Sequence, residues 1–161
     1  MPQLEELILE SWRRQVRIVD NVAGLVTDET AGLKMGEEEF TCKQHLSHTH
    51  LVRRGWLNEI DAERAARVPD VRASTHSLDQ IREALKESAK AVEEVTKENM
   101  GKGPLGPYDD AFYYMQHMLW HEGWHVGAII QLLRVNGHEP TDEWDEANIW
   151  SMWRVEEPQP A

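Results

Sequence analysis

The sequence predicts an all-α fold, a four-helix bundle. Four long segments carry apolar residues at steps of three and four, two of them open on capping-box patterns, and no stretch alternates β-branched residues as a strand would. The first segment runs Leu4, Ile8, Trp12, Val16, Val19, Ala23 and Val26 along one stripe, a helix of about seven turns. Gly24 costs it some propensity, and Gly32 to Gly36 reads as the loop that follows.

Thr41-Cys42-Lys43-Gln44 has the form of a capping box, so a second helix starts there, with His45, His48, Val52, Trp56 and Ile60 as its inward stripe. Pro69 lies in the linker that follows, roughly Ala65 to Ser74. Ser77-Leu78-Asp79-Gln80 repeats the box and opens a third helix with Leu78, Ile81, Leu85, Ser88, Val92 and Val95 on one face. The run from Gly101 to Pro107 cannot continue a helix, and Asp109 or Asp110 can cap the next one. That fourth helix carries Tyr114, His117, His121, His125, Ala128, Leu132 and Val135 and stops at Asn136-Gly137. Trp144, Trp150 and Trp153 lie in a short acidic extension, about 138 to 161, which should pack on the bundle or on a second subunit.

A chain of 161 residues fits one domain, 1 to 161. With 29 acidic against 17 basic residues its formal charge is −12, a field that repels nucleic-acid phosphates and anionic lipid alike. Cys42 is the single cysteine, which rules out an intrachain disulfide and suits a reducing cytoplasm. The acidic start, Met1 to Glu6, is unlike a secretory leader, and no apolar run is long enough to span a bilayer. The expectation is a soluble, cytoplasmic protein with a small-molecule substrate and no nucleic-acid or membrane partner.

The chemistry is in the histidines. There are eight, and six of them cluster, three in Gln44 to His50 and three in His117 to His125. His121 and His125, four apart on a helix, stand one above the other and can converge on one ion at about 2.0–2.1 Å from each nitrogen. A third imidazole from the facing helix would complete a site with open positions, and His48 is the best placed, while His50 is rotated about 200° from it. His45 and His117 lie one turn away, where each can replace a ligand or orient one. His50, His76 and His138 are expected at the surface, and Cys42 as a small buried hydrophobe.

His121-Glu122-Gly123-Trp124-His125 is also the H-E-x-x-H pattern of zinc metalloproteases, with Glu143 or Glu146 as third ligand in that reading. Against it stand the helix-breaking tendency of Gly123 and the unexplained histidines of the second helix. Glu122 is rotated about 100° from His121, which argues against it as a general base.

A second resemblance covers nearly the whole chain. Phe40-Thr41, then His48 eight residues after the aromatic, then His121 to Arg134 with its H-x-x-x-H-x-G pattern, resemble the DinB/YfiT-like metal-dependent enzymes. Phe40 stands where Trp is usual in that family, and Ala128 where a Gln often follows the Gly. The resemblance implies an up-down-down-up bundle, often dimeric, with His48, His121 and His125 as ligands to a divalent ion such as nickel or zinc. Some relatives are transferases or isomerases that use a low-molecular-weight thiol, others possible hydrolases. A metal-dependent, thiol-using transferase or isomerase is therefore the expected function. The alternatives are a metal-dependent hydrolase, including the H-E-x-x-H protease, and a non-catalytic, stress-related metal-binding module. The tryptophans of the tail, with Trp120 and Trp124, suggest a homodimer.

Overall fold

In a computed structural model, which describes residues 3–36 and 39–154, the chain folds as four long helices with short elements between and after them. The long helices are α1 (Leu4–Leu25), α2 (Cys42–Ile60), α4 (Leu78–Asn99) and α5 (Ala111–Val135). The single turn α3 (Ala62–Ala65) lies in the linker after α2, and α6 (Asp142–Asn148) and a 3-10 turn (Trp150–Met152) form the tail. Both capping boxes are made: Gln44 N–H donates to Thr41 Oγ1 and Thr41 N–H to Gln44 Oε1, and Ser77 and Gln80 repeat the pair. Of the two candidate aspartates, Asp110 caps α5 through the Phe112 N–H. No helix among the described residues is long and apolar enough to cross a membrane.

Side-chain bonds between helices fix the topology. Trp12 of α1 donates to Ala89 O of α4, and Arg82 of α4 reaches Ala23 O and Val26 O at the other end of α1, so α1 and α4 are antiparallel. Arg53 meets Leu85, and Arg64, just beyond α2, meets Glu98, so α2 and α4 are parallel. His45 opposes His125 while Trp56 opposes His117, which makes α5 antiparallel to α2. The order is up-down-down-up.

Parallel neighbours need a connection that travels the length of the bundle. Residues 61–77 supply it, lying along the outer side of α2. Ser47 Oγ donates to Val71 O and accepts from Ala73 N–H, His50 Nε2 donates to Pro69 O, and Arg54 Nε donates to Val68 O. This strap corrects two expectations. His50 is fully buried, not at the surface, because the strap covers the face it occupies. The most buried stripe of α2 is Leu46, His50, Arg53 and Leu57, while His48, Val52, Trp56 and Ile60 are half-buried on the flank toward α5. A third expectation fails at the ends of the bundle: Leu4 and Val135 continue their stripes beyond the neighbouring helices and are exposed.

The core falls into two apolar clusters. One gathers Ile8, Trp12, Leu57, Val92, Val95, Met115 and Met118; the other gathers Val19, Val22, Leu46, Ile81, Leu85, Ile129 and Leu133. On every long helix the break between the clusters falls at polar residues: Gln15 on α1, Ser47 to Arg53 on α2, Ser88 on α4, and His121, Glu122 and His125 on α5. The bundle therefore has a polar layer across its middle. The tail docks beside it on its own bundle, where Arg14 Nη1 donates to Met152 O, Asn21 Nδ2 donates to Asn148 O, and Trp144 and Ile149 pack on the second cluster.

Candidate metal centre

The three histidines expected to form a site come together. One nitrogen from each of His48, His121 and His125 lies within 4.8 Å of the other two, and among the described residues no carboxylate or thiol joins that group. Helix geometry explains the α5 pair: one turn brings His121 Nε2 and His125 Nε2 to 3.1 Å. Two nitrogens bound to one ion at about 2.0–2.1 Å, at angles from square to tetrahedral, stand about 2.9–3.4 Å apart. The α5 pair thus already has the separation that a shared ion requires. His48 reaches in from α2, its ring centre 4.9 Å from that of His125 and 5.4 Å from that of His121.

Burial disfavours the charged form of all three imidazoles, and metal ligands must be neutral. Burial, and then the neighbouring imidazoles, push His121 down to about 4 and His125 down to about 3, and burial lowers His48 as well. Three neutral nitrogen donors of borderline softness suit zinc, nickel and related ions. The donor set and its spacing fit a divalent metal.

The neighbouring histidines take different parts. His45 Nδ1 lies 2.8 Å from His125 Nδ1, within hydrogen-bond distance, so one of the two nitrogens can donate to the other. If His125 Nδ1 is the donor, His125 Nε2 keeps a free lone pair and points it at His121. His45 is thus an orienting partner of His125. Phe40 stands edge-on to both His45 and His48, with ring centres at 5.5 and 5.2 Å. His117 Nδ1 is engaged by the Tyr108 hydroxyl at 2.7 Å and flanked by Trp56, outside the triad. Cys42 is fully buried, and burial pushes its thiol up to about 11, as expected of a packed, unreactive side chain.

Glu122, the general base of the H-E-x-x-H reading, points the other way. It is fully buried and takes both available bonds from Arg53, Nε to Oε1 at 2.6 Å and Nη2 to Oε2 at 2.9 Å. Burial pushes its carboxyl up, while Arg53 beside it pulls down. Arg53 also donates to Leu85 O and Ser88 Oγ and lies 5.1 Å over the Trp12 ring, so one guanidinium carried on α2 touches the other three long helices. Sequence reasoning did not single out Arg53. The signal was there in Glu122, the lone carboxylate between Ala111 and Leu133, which needs a cation if that helix is buried. Of the alternative third ligands, Glu146 pairs with Arg154 and Glu143 is exposed in the first turn of α6.

Over the triad opens a cavity of about 960 Å³, walled by Phe40, His45, His48, Trp120, Trp124 and Leu132 among others. Trp124 stands edge-on to His125 at 4.8 Å. The arrangement combines three inward donors on one side with room for a small molecule on the other.

A family model described as the DinB family matches residues 1–152 of the chain. No curated protein and no solved structure matches it.

Proposed function

The chain belongs to the DinB family, and from that premise we propose that it is a metal-dependent enzyme holding one divalent ion, nickel or zinc, with His48, His121 and His125. The reaction is transfer or isomerisation with a low-molecular-weight thiol as co-substrate. The observation that carries this reading is the triad itself, three neutral imidazoles within 4.8 Å of one another beneath an open cavity.

A divalent ion with three neutral ligands supplies Lewis acidity, favouring the thiolate over the thiol at neutral pH. His45, in hydrogen-bond contact with His125 Nδ1, orients that ring, and Phe40 and Trp124 hold the rings in place from their edges. Water activation would call for a carboxylate near the ion. Glu122 is committed to Arg53, and among the described cavity residues only Glu39, exposed at the rim, carries one. That supports thiol transfer over hydrolysis. The cavity supports an enzyme over a storage or structural module, whose ion would be closed off by a fourth protein ligand.

Elemental analysis of untagged protein, followed by assays pairing candidate thiols with electrophiles, tests the reading. About one divalent ion per chain is expected, lost in His121→Ala and His125→Ala. Undiminished metal in either variant would overturn it. The assembly we propose is a homodimer, supported by the exposed rings of Trp150 and Trp153; a monomer mass in sedimentation equilibrium at micromolar concentration would rule it out.

A further inference from the structure

We infer that the protein wall of the cavity over the triad selects an uncharged, flat, largely apolar second substrate and offers anions no counter-charge. The inference rests on the reading above that this cavity is the substrate site, and it specifies the class of electrophile that meets the thiol there.

Three aromatic side chains on the cavity wall are left with their surfaces open: Phe40 at 42%, Trp120 at 73% and Trp124 at 57% exposure. A lone exposed tryptophan is ordinary, but three open aromatic rings around one cavity make a contiguous apolar patch of the kind that marks a binding site. Here two of them, four apart on α5, lie on the same face of one helix and border one cavity. Between them α5 carries Gly123, which also lines the cavity and whose missing Cβ leaves open space. A planar apolar molecule can lie in that gap against the indole rings, covering surface that the fold leaves wet. The rings of Phe40 and Trp124 already flank His48 and His125, so a molecule seated on them would have its reacting atom brought over the triad.

The electrostatics choose among such molecules. Among the described residues no Lys or Arg lines the cavity, and the one charged wall residue among them is the acidic Glu39. Carboxylate and phosphate ligands are ordinarily held by an Arg or Lys fork, which this wall lacks. The formal charge of −12 on the whole chain opposes their approach as well. A cationic ligand would be welcome at the indoles but repelled by an ion whose three protein ligands are neutral. An uncharged molecule meets neither obstacle.

The test compares phenylnaphthylamine, which is uncharged, with its near-isosteric sulfonate, anilinonaphthalene sulfonate, by fluorescence titration of the full chain. Both metal-stripped and metal-loaded protein are used, so that ligation of the sulfonate by the ion is separated from recognition by the wall. In metal-stripped protein the uncharged probe should bind about tenfold or more tighter than the sulfonate, and Trp120→Ala and Trp124→Ala should each weaken it severalfold, by roughly the worth of one stacked ring. Both tryptophans are exposed, so these variants should keep the wild-type melting temperature and circular dichroism. Equal or tighter binding of the sulfonate to the stripped protein, or tryptophan variants that bind as wild type does, would overturn the inference. Failure of the metal reading would show separately, as metal missing from the purified protein while the uncharged probe still binds.

Discussion

His121 and Glu122 are adjacent in sequence and lie in the same polar layer of the bundle, yet they end in opposite circumstances. Glu122 is sealed among four helices with both carboxylate oxygens bonded to Arg53, whose Nη1 donates to Leu85 O and Ser88 Oγ. His121 is half-buried beside a cavity, and its Nε2 faces another imidazole nitrogen. One half of the layer is closed to ligands because its two charges are buried and bonded to each other. The other half keeps lone pairs aimed at a common point, which is the condition for binding something. Sequence distance is a poor guide here: a rotation of about 100° around the helix separates the scaffold from the site.

The largest effect should come from breaking the sealed half. Arg53→Ala strands a buried carboxylate and Glu122→Ala a buried guanidinium, each expected to lower unfolding free energy by about 3–5 kcal/mol in urea titration. The paired change Arg53→Met with Glu122→Leu should cost far less, since it removes both charges together. A paired variant as unstable as the singles would mean that the layer acts through packing and not through charge.

Stripping the open half comes next. Chelation of the metal should lower stability by about 2.7 kcal/mol when the loaded protein was held at free metal about 100 times its Kd. In His121→Ala that chelator-dependent shift should vanish while metal-free stability stays near wild type. A shift of wild-type size in His121→Ala would place the metal elsewhere.

His45 sits beside the open half, in contact with His125. Its replacement by Ala should weaken metal binding about 10- to 100-fold without changing the stoichiometry at saturation, the behaviour of a partner that orients a ligand. Loss of stoichiometry would make it a ligand itself. Smallest of all, His50→Ala should cost about 1–2 kcal/mol by leaving Pro69 O without its donor, and should leave metal affinity untouched. A metal defect in that variant would show that the strap reaches the site.

The helices and their caps were legible in the sequence because their determinants are local: Thr41 with Gln44, Ser77 with Gln80, and Gly137 at the left-handed stop of α5, where φ is 79°. The triad was legible because helical spacing alone pairs His121 with His125, and the stripe of α2 left His48 as the best third. What escaped was set by contacts between distant segments. The burial of His50 depends on a strap that returns across α2 some nineteen residues later. Arg53 and Arg54 are neighbours of identical type, and nothing local says that the first enters the core while the second bonds the strap. The contact between His45 Nδ1 and His125 Nδ1 likewise exists only once α2 and α5 are antiparallel at one particular register.

Cys42, fully buried at the first turn of α2 with its thiol pushed up to about 11, bears on how the protein can be studied. The thiolate, not the thiol, is the nucleophile toward disulfide reagents and alkylating agents. The native chain is therefore close to silent in a colorimetric thiol count, and it should consume no electrophile on its own account. Any thiol lost in a reaction mixture then reports turnover of the added co-substrate, and the slow appearance of one reactive thiol per chain becomes a direct clock for unfolding.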